Sequence, residues 1–224
     1  MALRLRDDTL RNAETKICNL TATFSVLANM ELLLSVCIGL GLSAACGFRI
    51  FVPLLVTSIA AHSGHLDLAP SFDWVGSPAA LTAFSVATAL EIGGYYVPWV
   101  DNFLDTVATP AAVVAGTVVT ASMVTDVSPF LRWSLAVVAG GGVAGIVQAT
   151  TVLARGLSLT STGGVANPII ATAELGGSIL TAIAAIVAPF FAIGLIFVVL
   201  AIASYKLLRR RNTTAPPILT STAA

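Results

Sequence analysis

Between Met30 and Tyr205 the chain contains no lysine and only three basic residues, Arg49, Arg132 and Arg155. Charged residues make up 10% of the 224 and apolar ones 57%, and the mean hydropathy is +0.94. That composition excludes a water-soluble surface around a core and defines an integral membrane protein. Acids and bases balance at a net charge of zero, which gives no electrostatic footprint for nucleic acid. Three cysteines, Cys18, Cys37 and Cys46, do not make a disulfide framework, and Cys37 and Cys46 read as small packing residues. Period-2 alternation is missing from the apolar stretches, which excludes a transmembrane barrel. The glycines of "GLGLSAACG" and "AGGGVAG" neither follow a strand nor open a phosphate-binding turn, and instead resemble the small faces that let membrane helices pack closely. No serine or cysteine sits in a nucleophile elbow, so an enzyme is the less favoured class. His62, His65 and Asp67 lie in "AAHSGHLDLAPSFDW", which reads more simply as a polar loop than as a metal site.

What remains is a series of apolar runs near 31–46, 50–62, 78–97, 107–124, 129–154, 165–187 and 189–205. A full helical span takes about 20 residues, so the first two runs are each too short. They form either one long interrupted helix or a hairpin that crosses only partly. The predicted fold is all-α, a polytopic bundle of five to seven membrane segments. Residues 30–208 form its membrane domain, 1–29 an N-terminal extension and 209–224 a basic, then polar, tail.

Prolines recur in similar settings, at Pro53, Pro110 and Pro168, separated by 57 and 58 residues. A second series, Pro78, Pro129 and Pro189, opens apolar runs 25, 19 and 21 residues after the first. Proline commonly starts helices because its missing N–H is not needed in the first turn. The near-equal spacing adds to this an expectation of three diverged helical-hairpin repeats, with a helix beginning at each first-series proline. On that reading the stretches leading into these prolines share one membrane face and bring together Arg49, Asp101, Asp105, Arg155 and Asn167. The helix starts would aim free N–H groups at that region, with Gly47, Gly163 and Gly164 permitting non-helical backbone.

Glu91 and Glu174 lie deeper in apolar runs, where an ionisable group costs about 2.5–3.5 kcal/mol on insertion scales. Each therefore needs a partner or an aqueous cavity, and Arg49 and Arg155 are the obvious candidates. The same charges serve equally as an ion or substrate site and as buried salt bridges that fix helix packing. Asp101 and Asp105, spaced i and i+4, would share one face of a short interfacial helix, with Trp99 and Phe103 toward lipid. With Asn102 they offer oxygen ligands for a hard cation, though without further fixed ligands the metal signal is weak. The candidate site residues are thus Arg49, Glu91, Asp101, Asn102, Asp105, Arg155, Asn167 and Glu174.

The segments "GLSAACGFRIFVPLL", "YYVPWVDNFLDTVATPAAVVAG" and "TSTGGVANPIIATAELGG" together resemble a bacterial membrane family catalogued as domain of unknown function 4126. The resemblance covers about residues 30–190. It implies membrane location and a multi-span helical domain, and brings no activity with it. Members begin near "MELLLSVCIGLG", here at Met30, which makes residues 1–29 either an upstream-start extension or a cytosolic tail.

Basic residues set the expected orientation. Arg49, Arg155 and the tail "YKLLRRRN" place six Lys or Arg on one face, whereas "HSGHLDLAPSFDWVGS" and "MVTDVS" have none. The C-terminus is therefore expected in the cytoplasm of a bacterial inner membrane. Arg132 and the basic N-terminal stretch count against this. The favoured function is transport or permeation of a small solute or ion through a polar site between the repeats. A non-transporting scaffold is the alternative, and a membrane enzyme acting on a lipid headgroup the third. Expected partners are the bilayer and a small solute or ion; no nucleic acid and no cofactor are expected.

Overall fold

The structure is a computed structural model that describes residues 25, 27–125, 127–189, 191, 194 and 198. Most of the 1–29 extension, the 209–224 tail and most of the 189–205 run lie outside the described residues. Among those described, every regular element is helical. Helix α1 covers Leu27–Phe48, and α2 covers Phe51–His62. A 3₁₀ turn, Pro70–Gly76, precedes α3, Pro78–Gly94. Helix α4 is Pro98–Met123, α5 is Pro129–Thr162 and α6 is Asn167–Val187. By length and composition α1, the Thr106–Met123 part of α4, α5 and α6 can each cross a membrane. The 3₁₀ turn and α3, bent by 63° at the break between them, meet the same length and composition test only when joined, which brings the candidate spans from four to as many as five.

Local sequence explains most helix starts. Ser77 accepts a hydrogen bond from the Ala80 N–H and Ser128 from that of Leu131, each just ahead of a proline at the first helical position. Helix α5 stops at Gly163, whose φ of +64° suits a residue without Cβ. Two expectations need correction. Helix α1 is 22 residues long, enough to span, and includes residues before Met30. Pro110 lies inside α4 and opens nothing. A proline within a membrane helix is tolerated where neighbouring groups take up the freed backbone.

Helices α1 and α2 form a hairpin. Gly39 of α1 backs onto Thr120 and Met123 at the C-terminal end of α4, and Gly47 backs onto Ala144 and Val147 of α5. After the break at Arg49 and Ile50 the chain returns, until the Ala69 N–H donates to the Ser122 carbonyl (2.8 Å), again at the end of α4. Leu54 and Val56 of α2 pack against the cluster of Leu42, Ala45, Cys46, Val119, Ala144 and Ala182. Gly47 therefore serves close packing within a helix, not the irregular backbone expected of it.

The interior is small and weakly polar: Ser43, Ser58, Thr120, Ser178, Ala112 and Ala144 are buried, while Leu90, Val114, Val138, Ile169 and Leu180 face outward. This distribution is what a bundle in lipid requires. Apolar tails provide no hydrophobic drive between helices, so close backbone approach and interhelical hydrogen bonds hold them together. Helix α4 meets α5 at Gly116 and Gly140, where α5 makes a π-helical turn, Ala136–Gly141. The Ser43 hydroxyl of α1 donates to the Gly140 carbonyl and that of Thr120 to the Gly39 carbonyl, which ties α1 into the same crossing.

Candidate functional site

The hairpin tip carries Arg49 into the bundle. Its Nη2 donates to the Ala171 carbonyl (2.9 Å) and lies 3.6 Å from a Glu174 carboxylate oxygen. Glu174 is seven residues into α6, and Arg155 seven residues before the end of α5. At about 1.5 Å per residue, both stand roughly 10 Å inside the helix ends. Arg155 grips Glu174 with two donors, Nε at 3.1 Å to one oxygen and Nη2 to the other. This fork matches the carboxylate plane and is the strong form of the pairing. Arg49 and Arg155 are each 2% exposed and Glu174 is 6% exposed, so water contributes little to satisfying them.

Both guanidiniums also lie near the Tyr95 ring, with their central carbons 3.7 Å (Arg49) and 4.3 Å (Arg155) from its centroid. A buried ring face attracts cations at that range, so Tyr95 supplies negative potential where two positive charges share one carboxylate. Tyr95 directly follows α3 and absorbs the turn into α4. It is not among the candidate site residues that the sequence marks. Its signal is the placement of an aromatic pair at a helix break: the neighbouring Tyr96 hydroxyl meets the Thr172 hydroxyl of α6 at 3.0 Å.

Glu91 has a different role from the one its apolar surroundings suggest. Its carboxylate accepts from the Ile50 N–H (2.8 Å) and the Phe51 N–H (3.0 Å), the first groups of α2. Helix α2 has no cap from its own N-cap side chain. Glu91, 41 residues further along, provides that cap and neutralises the positive end of the helix.

Arg49, Glu91, Arg155 and Glu174 thus meet with Tyr95 around the tip, contributed by the α1–α2 break, α3, α5 and α6. Asn167 is buried at the start of α6 beside the 163–166 turn. Arg155 lies within α5, since the Ser/Thr stretch expected as a connection is helical to Thr162. Asp101, Asn102 and Asp105 belong to the first turns of α4, a helix of 26 residues in place of the short one expected. Their side chains, like that of Trp99, lie outside the described residues, while Phe103 is exposed. At the far end of α2, His62, its last residue, and His65, on the loop that follows, are exposed and contact the Gly76 carbonyl and the Ser63 hydroxyl. Among the described residues no three His, Cys, Asp or Glu side chains are placed to hold a metal together.

An all-helical membrane bundle in which a broken hairpin delivers a buried charged cluster is the class this architecture defines. The chain belongs to the DUF4126 family, a domain of unknown function, which it matches over residues 36–209. No curated protein and no solved structure matches it.

Proposed function

We propose that the protein is a small-solute or ion transport or permeation protein whose polar site is the cluster at the α1–α2 tip. The observation that carries this reading is the meeting of four buried charges beside the α1–α2 break, two of them, Arg155 and Glu174, roughly 10 Å inside their helix ends. Interrupted helices at that depth are where membrane transporters place backbone dipoles and ionisable side chains against a solute. Arg49 supports it further: its Nε and Nη1 are buried without a hydrogen-bond partner, donor capacity that packing alone leaves unused. A scaffold is the second reading, favoured by the protein partners that both carboxylates have. We place the protein in a bacterial inner membrane, with Arg49, Arg155 and the "YKLLRRRN" end toward the cytoplasm. The test of function is flux from liposomes holding purified protein, across inorganic ions and small polar solutes. Protein-dependent flux of at least one is expected, and rates equal to empty liposomes throughout would defeat the proposal.

Orientation has its own check. A reporter fused after Arg211 is expected to read as cytoplasmic and one inserted at Gly64 as external, because basic residues are retained on the inner side. The opposite pattern would reverse the bundle in the membrane.

A further inference from the structure

We infer that the N-terminal end of α2, with Arg49 beside it, is a binding site for a small anion, and that Glu91 occupies it as a tethered internal ligand. The inference rests on the transport reading for its purpose and on geometry for its chemistry.

The N–H groups of Ile50 and Phe51 point at one carboxylate, each oxygen accepting one of them at 2.8 and 3.0 Å. That is how a helix start binds a free carboxylate or a halide. Helix α2 has 12 residues, enough to develop a positive end, and carries no acid in its own first turn. The second observation is Arg49, the residue immediately before this helix start. It is 2% exposed and keeps Nε and Nη1 without hydrogen-bond partners, while its Nη2 is turned to the Ala171 carbonyl and Glu174. Two backbone donors therefore meet at a position now filled by a side chain from another helix, and the residue next to them in the chain is an arginine with donors unused. Glu91 lies only three residues before the end of α3, at the break near Tyr95. A movement of that end withdraws the carboxylate and leaves the donors for a mobile anion. The chemical class is a small monoanion, such as chloride or the carboxylate group of a small organic acid; a cation would meet two N–H groups and a guanidinium.

The test removes the tethered ligand and offers a free one. Purified Glu91→Ala is compared with the unaltered protein in sodium gluconate, then with chloride or formate replacing gluconate at constant ionic strength. The expected result is a saturable rise in the Tm of Glu91→Ala with chloride or formate, no such rise in the unaltered protein, and loss of the effect in Arg49→Met/Glu91→Ala. If Glu91→Ala yields no folded protein, Glu91→Gln takes its place. Its one amide oxygen cannot reproduce both hydrogen bonds or the charge, so a smaller anion-dependent rise is expected. An anion-insensitive Tm in the folded variant overturns the inference, as does equal sensitivity in the unaltered protein. Flux separates this result from the functional reading. Anion protection without flux of any solute leaves the anion site standing and removes transport. Flux of a cation or neutral solute, with no anion protection in the Glu91 variants, does the reverse.

Discussion

Glu174→Met is expected to be the most destabilising single change in the charged cluster. Its carboxylate is the acceptor for the Arg155 fork and stands 3.6 Å from Arg49 Nη2. Its removal leaves two buried guanidiniums to share what remains. Breaking a buried pair by deleting one member costs about 3–5 kcal/mol, because the surviving charge keeps its desolvation penalty without compensation. Arg155→Met alone is expected to cost less, since Glu174 keeps Arg49. The double variant Arg155→Met/Glu174→Met is expected to recover part of the loss, with Arg49 retaining the Ala171 carbonyl and the Tyr95 ring. Thermal or denaturant unfolding in detergent gives all three values. A double variant as unstable as the sum of its singles would show that the pair contributes no coupling.

The second large effect is expected at the α4–α5 crossing, far from any charge. A Cβ at Gly140 would stand 2.7 Å from Thr120 Cβ and 2.8 Å from the Gly116 carbonyl oxygen, and in conflict with the Thr120 hydroxyl. The carbonyl belongs to a helix backbone and cannot rotate away. The Thr120 hydroxyl is itself engaged with the Gly39 carbonyl at 3.2 Å. Gly140→Ala is therefore expected to cost about 1–3 kcal/mol, as overpacking does, and Gly140→Leu more, by parting α5 from both α4 and α1. Gly142→Ala is the matched control, since nothing lies within 4 Å of a Cβ there. Folded yield and Tm of the two alanine variants provide the comparison, and equal values would mean that the helices do not approach as described.

These two sites differ in how far the sequence revealed them. Arg155 and Glu174 are conspicuous because an ionised group in an apolar run requires a partner, and few partners are available. Glycine clusters likewise announce close packing, though not which helices meet. Glu91 was visible as an anomaly, but its partners are backbone N–H groups 40 and 41 residues upstream, which leave no mark in side-chain chemistry. The gap between the apolar runs 31–46 and 50–62 marks an interruption but does not show what caps the helix after it. Proline spacing misled at Pro110, because proline marks helix starts and helix interiors alike in membrane segments. The three first-series prolines consequently do not stand at equivalent places. Tyr95 escaped selection because an aromatic beside a membrane helix end is ordinarily an interface anchor; here its ring is turned to two arginines.

The central claim is that the cluster at the hairpin tip handles a solute and does more than hold helices together. The most direct measurement is flux in liposomes carrying equal amounts of folded unaltered protein, Glu174→Gln and the partly restabilised Arg155→Met/Glu174→Met. Both variants are expected to lose flux, including the double variant whose stability has partly returned. Full flux through that double variant would show that the buried charges serve packing alone.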